Sequence, residues 1–129
     1  MTATRLWWIF VAGGFGSAAR YLLSGFVLER LGTAFPFGTL AVNLIGSFLL
    51  SALVHVALAT ELVSPTLRIA LATGFLGGFT TYSTFSHETF VLLQEGAWAQ
   101  GSLNVTVTVV GCLTACLLGQ AAGRWLAGG

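Results

Sequence analysis

Long stretches without a charged side chain most restrict how this chain can fold. The stretches Phe37 to Ala59, Ile69 to Ser86 and Trp98 to Gly123 contain no Asp, Glu, Lys or Arg. A fourth apolar stretch, about Leu6 to Leu28, contains Arg20 as its single charge. A helix needs about 20 apolar residues to cross the hydrocarbon core of a bilayer. The pattern predicts an all-α membrane protein with four transmembrane helices.

The spans predict one domain over residues 1–129. Its transmembrane segments are expected at about 6–28, 37–59, 67–93 and 98–123. Ser64 and Pro65 form an N-cap followed by proline at the first helical position, which marks the start of the third span. The first span has an alternative interpretation as a signal peptide, although three hydrophobic spans remain without it.

Charge excludes several classes of partner. Only 7% of the residues are charged, against about 25% in soluble domains. The five basic residues are all arginines and are dispersed, and the net charge is +1. Phosphate binding needs grouped Lys and Arg, so we expect the lipid bilayer, and no nucleic acid, as a partner.

The charges also bear on orientation. With four spans both termini share one side, which carries Arg5, Arg68 and Arg124, whereas the other side carries Arg30. So small a bias makes insertion in both orientations credible. Four helices cannot easily surround an aqueous path, so transport predicts an oligomer. An antiparallel homodimer would supply the inverted repeat that larger transporters contain within one chain.

Two polar stripes run along otherwise apolar spans at every fourth residue. The second span carries Thr39, Asn43, Ser47, Ser51 and His55, and the fourth carries Asn104, Thr108, Cys112, Cys116, Gln120 and Arg124. Residues four apart form a connected row on a helix. The stripes indicate a lined path, and the alternative is hydrogen bonds that hold helices together. Asn43 is the strongest member, because a buried amide is costly unless paired.

The third span contains the run GFLGGFTTYSTFS over residues 74–86. A glycine pair followed by several hydroxyl side chains is poor helix-forming sequence, so we expect a break near 77–82, close to mid-membrane. Freed carbonyls at such a break can bind a cation. The alternative is an unbroken helix whose hydroxyls bond to its own backbone.

Charged and thiol side chains complete the candidates. Arg20 lies inside the first span, where a charge is usually functional or paired. It is expected to attract an anion into a vestibule or to reach an interface, and Glu88 is a possible partner. Cys112 and Cys116 are expected to be free thiols, because residues four apart on one helix are poorly placed for a disulfide.

Three motifs, in order and at matching spacing, resemble the Fluc (CrcB) family of fluoride channels. The first span carries Gly13-Gly14, Gly16 and Arg20-Tyr21. The second carries the run FPFGTLAVN over residues 35–43 with Gly46-Ser47-Phe48, and the third carries residues 74–86. The resemblance covers nearly the whole chain.

The resemblance implies an antiparallel, dual-topology homodimer in the inner (plasma) membrane with two fluoride pathways along the subunit interface. It implies a structural sodium ion at the dimer centre, held by the main-chain carbonyls of Gly77 and Thr80. It assigns pore-facing rings to Tyr82 and Phe85, an anion-contacting amide to Asn43 and the first-helix arginine to Arg20. It also implies a polar track along the fourth helix, at Asn104, Thr108, Cys112 and Cys116.

The chain departs from the family pattern at two places. Tyr82 stands where the family usually has phenylalanine, and Cys112 and Cys116 stand where it usually has serine or threonine. We expect fluoride to exchange its water for donors on the protein, namely the Asn43 amide, the ring edges and the hydroxyls of Thr39, Ser83, Thr84 and Thr108. Because a thiol is a weaker donor than a hydroxyl, slower conduction is expected.

Rival functions fit the sequence less well. A small multidrug-type, proton-coupled exporter needs a membrane-embedded acid in its first helix, and here no acid precedes Glu29. A non-transporting assembly protein would not need polar stripes. An enzyme is not expected, because no nucleophile–base pair has a usable spacing.

Overall fold

The computed structural model describes residues 2–129, and helices account for most of them. The helices are α1 (Ala3–Leu31), α2 (Phe37–Ala59), α3 (Pro65–Ile69), a π-helix (Ala70–Leu76), α4 (Gly77–Phe79), α5 (Tyr82–Gln94) and α6 (Trp98–Leu126). Within residues 2–129, three of them are long and apolar enough to cross a membrane, namely α1, α2 and α6. The prediction of an all-helical protein with several membrane-spanning segments is confirmed.

Local sequence sets the ends of these helices. Thr2 caps α1 by accepting a hydrogen bond from the Arg5 N–H, and Gly32 ends it with a φ of 78°, a conformation that favours glycine. Ser64 caps α3 in the same way, accepting from the Leu67 N–H at 3.1 Å. The connections between these long helices are therefore short and well defined.

The stretch from Pro65 to Gln94 is segmented. The chain runs from α3 through the π-helix into α4, and then Thr80 and Thr81 adopt extended backbone before α5 begins. The interruption lies just beyond the glycine pair, since Gly77 itself is helical with φ −63° and ψ −37°. Gly78 instead allows α4 to pack closely against α1, because an added methyl group there would lie 2.6 Å from the Gly13 carbonyl oxygen.

Glycines bring the backbones of neighbouring helices into contact, as is usual in membranes. On α1, Gly16 lies directly on the main chain of Phe75 in the π-helix. On α6, Gly119 lies on the main chain of Phe48 in α2, and Gly123 lies on that of Ala52. A side chain at Gly16 or Gly119 would collide with backbone, and one at Gly123 would require its neighbours to shift. At Gly14, in contrast, an added methyl group would meet no atom of another segment within 4 Å.

The buried apolar core is small and lies where α2 meets the segmented stretch. It consists of Val42, Leu76 and Phe79. Large apolar side chains cover the outside instead, among them Phe10, Phe15, Leu22, Leu58, Leu117 and Trp125, each more than two-thirds exposed. Such a surface suits lipid rather than water.

Candidate functional site

Asn43 holds the interrupted backbone at Thr81. Its Nδ2 donates to the Thr81 carbonyl at 3.0 Å, and its Oδ1 accepts from the Thr81 N–H at 2.8 Å. In a continuous α-helix the Thr81 N–H would donate to the Gly77 carbonyl instead. The α2 amide thus replaces a helical hydrogen bond and satisfies both polar groups of the extended residue. One Nδ2–H of Asn43 remains available, because an amide nitrogen carries two hydrogens.

Thr81 also starts the next helix. Its hydroxyl oxygen accepts from the Thr84 N–H at 3.2 Å and donates its own proton to the Thr84 hydroxyl at 3.0 Å. This is the N-cap arrangement that threonine favours. The N-terminus of α5, with its partial positive charge, is thereby fixed beside Asn43. Since the Thr84 hydroxyl accepts in this pair, its own proton is available, and Ser83 lies exposed on the same turn.

An open groove of about 440 Å³ runs between α2, the interrupted segment and α6. We call it the central groove. The candidate residues from sequence that line it are Asn43, Ser47, Gly77, Thr80, Tyr82, Phe85, Thr108 and Cys112. The groove is largely apolar, and its few polar groups come from four different segments of the chain. These residues are far apart in sequence, so the fold itself assembles them into one site.

Two aromatic rings, those of Tyr82 and Phe85, line the central groove. The Tyr82 and Phe85 ring centroids lie 5.7 Å apart with planes at 61°, an edge-to-face arrangement. Phe85 is buried, whereas Tyr82 is 80% exposed. An edge-to-face pair presents the positive edge of one ring, and ring edges of this kind can contact an anion.

The fourth-helix residues divide into two groups. Thr108 and Cys112 line the central groove. Asn104 is only 2% exposed and lies outside it: its Nδ2 donates to the Thr89 hydroxyl of α5 at 2.9 Å, and its Oδ1 accepts from Thr108 at 3.4 Å. The structure thus places Asn104 between α5 and α6, where it joins the two helices and orients the Thr108 hydroxyl.

The two thiols lie one turn apart on α6 and are free. Cys112 faces the central groove, and Cys116 lies beyond it, where its thiol donates to the Ser47 carbonyl at 3.6 Å. Sulfur is a weak donor, so this contact is a weak link between α6 and α2. Cys116 therefore opens into a different cavity from Cys112.

Arg20 lies in a second cavity, of about 830 Å³, which we call the vestibule. Thr39, Thr81 and Thr84 line it as well, so the vestibule meets the central groove at Thr81. Arg20 Nε donates to the Gly78 carbonyl at 2.9 Å. This bond links α1 to α4, just before the interruption. The other N–H donors of the guanidinium group, and its positive charge, remain in the vestibule.

Glu88 does not pair with Arg20, in contrast to the partnership considered from sequence. Its carboxylate accepts a short hydrogen bond from the Thr39 hydroxyl instead. Both residues line a cavity of about 540 Å³ together with His87. The reason is geometric: α5 begins only after the interruption and directs Glu88 toward the start of α2, whereas Arg20 is held at Gly78. The Thr39 hydroxyl is therefore occupied by a carboxylate.

The main chain around Gly77 and Thr80 has the chemistry of a cation site. The Thr81 N–H is bonded to Asn43 and not to the Gly77 carbonyl, while Thr80 is extended with φ −90° and ψ 161°. Both residues line the central groove. Carbonyl oxygens are the hard ligands that Na⁺ prefers over nitrogen or sulfur. The donor set fits sodium.

Sequence reasoning missed Thr81 as a residue that organises the site. The usable signal was its position three residues before Thr84 at a helix start, which is an N-cap spacing. It also missed the π-helix at Ala70–Leu76, since apolar sequence does not reveal a widened turn. Such turns occur frequently beside functional sites.

Comparisons with known proteins agree in family. Residues 7–120 match the sequence model of a family described as CrcB-like protein, Camphor Resistance (CrcB). A relative from Sorangium cellulosum (strain So ce56), named fluoride-specific ion channel FluC, is 51% identical over 125 residues, covering 97% of this chain and 98% of the relative. Relatives of the same name from Citrifermentans bemidjiense and Geobacter sulfurreducens are 49% and 52% identical, covering 95% and 92% of this chain and 98% and 95% of their own lengths.

Proposed function

The chain belongs to the CrcB family, and on that premise we propose that it is a fluoride-selective ion channel. Fluoride would leave the cell passively, driven by its own gradient and the membrane voltage, and the cell would gain resistance to fluoride. The observation that supports this function best is the central groove, where donors from separate segments meet two aromatic rings in an otherwise apolar path. The function is transport and not catalysis.

The route follows the cavities in order. An anion is attracted by Arg20 in the vestibule and passes Thr81 and Thr84 into the central groove. There the free Nδ2–H of Asn43 and the ring edges of Tyr82 and Phe85 replace its water. The next donor on the route is the thiol of Cys112, which lies one turn beyond Thr108 on α6. Each contact is weak by itself, which permits release as well as entry.

Selectivity follows from the size and chemistry of this path. Fluoride is the smallest halide and needs short contacts with donors to compensate for lost hydration. A groove with few donors set among apolar side chains provides such contacts at short range. In the proposed dimer, a second copy would close this groove around the ion and leave too little room for a larger halide.

An antiparallel homodimer in the inner (plasma) membrane is part of the proposal. Tyr82 is 80% exposed in the single chain, and the central groove is open along its side, so a second copy is needed to enclose the path. The segmented stretch from Pro65 to Gln94 would form the third crossing in chain order, in addition to α1, α2 and α6, and would be interrupted near mid-membrane. Extended backbone at that depth is tolerated only inside protein or beside a cavity, which the groove supplies.

A structural sodium ion at the dimer centre is also proposed. The main-chain carbonyls of Gly77 and Thr80 would hold it, and its charge would stabilise the interface where the two interrupted segments meet. Refolding in a sodium-free, N-methylglucamine buffer should lower the dimer fraction, and added sodium should restore it. An unchanged dimer fraction on gel filtration would contradict this assignment.

The function is tested by halide efflux from liposomes that contain the purified protein. A potassium ionophore lets potassium leave the liposomes with the halide, so that no membrane voltage opposes halide efflux. Fluoride and chloride electrodes then record the loss of each ion. We expect rapid fluoride loss with negligible chloride loss. Equal rates for both halides, or no fluoride loss from correctly reconstituted dimers, would contradict a selective channel.

A further inference from the structure

Both polar stripes continue beyond the central groove. The second-helix stripe goes on to Ser51 and His55, and the fourth-helix stripe goes on to Gln120. The structure brings these side chains together with Cys116 around a separate cavity of about 360 Å³ between α2 and α6. We call it the His55 cavity. The proposed fluoride route described above does not use it.

The His55 cavity adjoins the central groove. Leu50 lines both. Ser47, which lines the groove, accepts through its carbonyl from Cys116, which lines the His55 cavity. The two spaces are thus separated by one turn of each helix. An anion that reaches Cys112 is next to the entrance of this cavity.

Backbone packing holds the two helices together beside this cavity. Gly119 of α6 lies on the main chain of Phe48 in α2, and Gly123 lies on that of Ala52 and beside the Cβ atom of His55. Among the residues that line the cavity, and within residues 2–129, only Cys116 uses its side chain in a hydrogen bond. His55 and Gln120 therefore present unused N–H donors to the space between the helices.

The charges around this cavity favour an anion. No carboxylate lines it, and its titratable members are His55 and Cys116. Arg124 lies one turn beyond Gln120 on α6 and is exposed. The N–H donors of His55 on α2 and Gln120 on α6 thus lie beside one cavity, with the fixed charge of Arg124 near its α6 side.

We propose that His55 and Gln120 form the anion-binding mouth at the α6 C-terminal end of the conduction path, where fluoride is held before entering or after leaving the groove. The proposal deepens the channel function and rests on it. Ser51 and Cys116 line the passage between this mouth and Cys112. Binding there raises the local fluoride concentration, so the mouth should affect flux most when fluoride is dilute.

The test compares fluoride efflux of wild type with His55→Leu, His55→Gln and Gln120→Leu, over a range of fluoride concentrations. Thr114→Val is the matched control, because Thr114 is exposed on α6 and its hydroxyl donates to the Val110 carbonyl of its own helix. Gel filtration verifies assembly of each variant. His55→Gln keeps an N–H donor, so it separates the loss of the donor from the loss of the imidazole ring.

Removing one donor should lower flux at low fluoride by about two- to tenfold, with a smaller effect near saturation and none for Thr114→Val. His55→Gln should retain more flux than His55→Leu, because its amide still donates. If all three variants had the fluoride flux of wild type at every concentration, the proposed mouth would be overturned. Absent wild-type flux would instead overturn the channel function itself.

Discussion

The Asn43 amide is bonded to both main-chain polar groups of Thr81, with distances of 3.0 and 2.8 Å. A side chain of α2 therefore completes the backbone of a different segment. The position of α5, and with it the aromatic pair, depends on this one amide. Asn43 accordingly has two tasks, one structural and one proposed for the anion, and experiments must separate them.

Replacing Asn43 by leucine should destabilise the protein. The change keeps the side-chain volume but leaves the Thr81 N–H and carbonyl without partners, at a cost of about 2–4 kcal/mol. Unfolding in mixed detergent micelles measures this loss. Ser47→Ala, one turn along α2, should change stability by much less. A leucine variant as stable as wild type would contradict the bonding described here, whatever its flux.

Gly16→Ala should weaken the packing of α1 on the π-helix. The added methyl group would collide with the main chain of Phe75, and overpacking of this kind costs about 1–3 kcal/mol. Gly14→Ala is a control on the same helix, because no atom lies within 4 Å of the new methyl group. Alanine should be neutral or slightly stabilising there. Equal losses at both positions would show that general helix effects, and not the contact with Phe75, are responsible.

Arg20 should act through its charge and through its bond to Gly78. Arg20→Lys keeps the charge but loses the Nε donor, so stability should fall by about 1–2 kcal/mol while most fluoride flux remains. Arg20→Gln should lose stability to a similar extent and flux several-fold, with the loss of flux smaller at high salt because the charge is screened. Wild-type fluoride flux in the glutamine variant would show that Arg20 has only a structural role.

Cys112→Ser and Cys116→Ser should increase fluoride flux. A hydroxyl is a better donor than a thiol and has nearly the same shape, so an anion in the path gains a stronger partner. The effect should be larger for Cys112, which faces the central groove. Liposome efflux measures both, with Thr114→Ser as a control on the outer face of α6. Unchanged flux in Cys112→Ser would place the anion away from this position.

Tyr82→Phe should leave stability unchanged. Tyr82 is 80% exposed, and its ring contributes the edge-to-face contact with Phe85, which phenylalanine can also make. Any change in flux then reports on the phenolic hydroxyl. Tyr82→Ala removes the ring and should reduce flux much further. An alanine variant with wild-type flux would exclude this ring from the path.

Sequence reasoning reached much of the fold because burial in lipid leaves a strong signal. Three uncharged stretches and one with a single arginine indicated helices in a membrane before any geometry was known. Asn43 was identified for a physical reason, since an amide in an apolar helix requires a partner. That partner, the Thr81 backbone, could not be identified because hydrogen bonds between distant segments depend on how the helices pack.

The sequence indicated which residues to consider for the site, but it did not show which neighbouring helix each of them contacts. The four-residue spacing grouped Thr108 with Cys112, and both line one groove. The same spacing also grouped Asn104 with them, yet Asn104 lies against α5 and bonds to Thr89. A helix turns slightly more than a full circle in four residues, so a long stripe drifts from one neighbour to another. Periodicity alone does not show where that change of neighbour occurs.

The π-helix at Ala70–Leu76 sets the rotational phase of everything that follows it. An α-helix advances about 100° per residue, and a π-helix accommodates extra residue length within its turns. If the same seven residues wound as an α-helix instead, Thr80 and Thr81 would be turned by roughly the angle of one residue relative to α2. The amide of Asn43 would then face a different residue. The wide turns of this segment, which contributes Ala72 and Leu76 to the wall of the central groove, thus fix where the interrupted backbone meets Asn43.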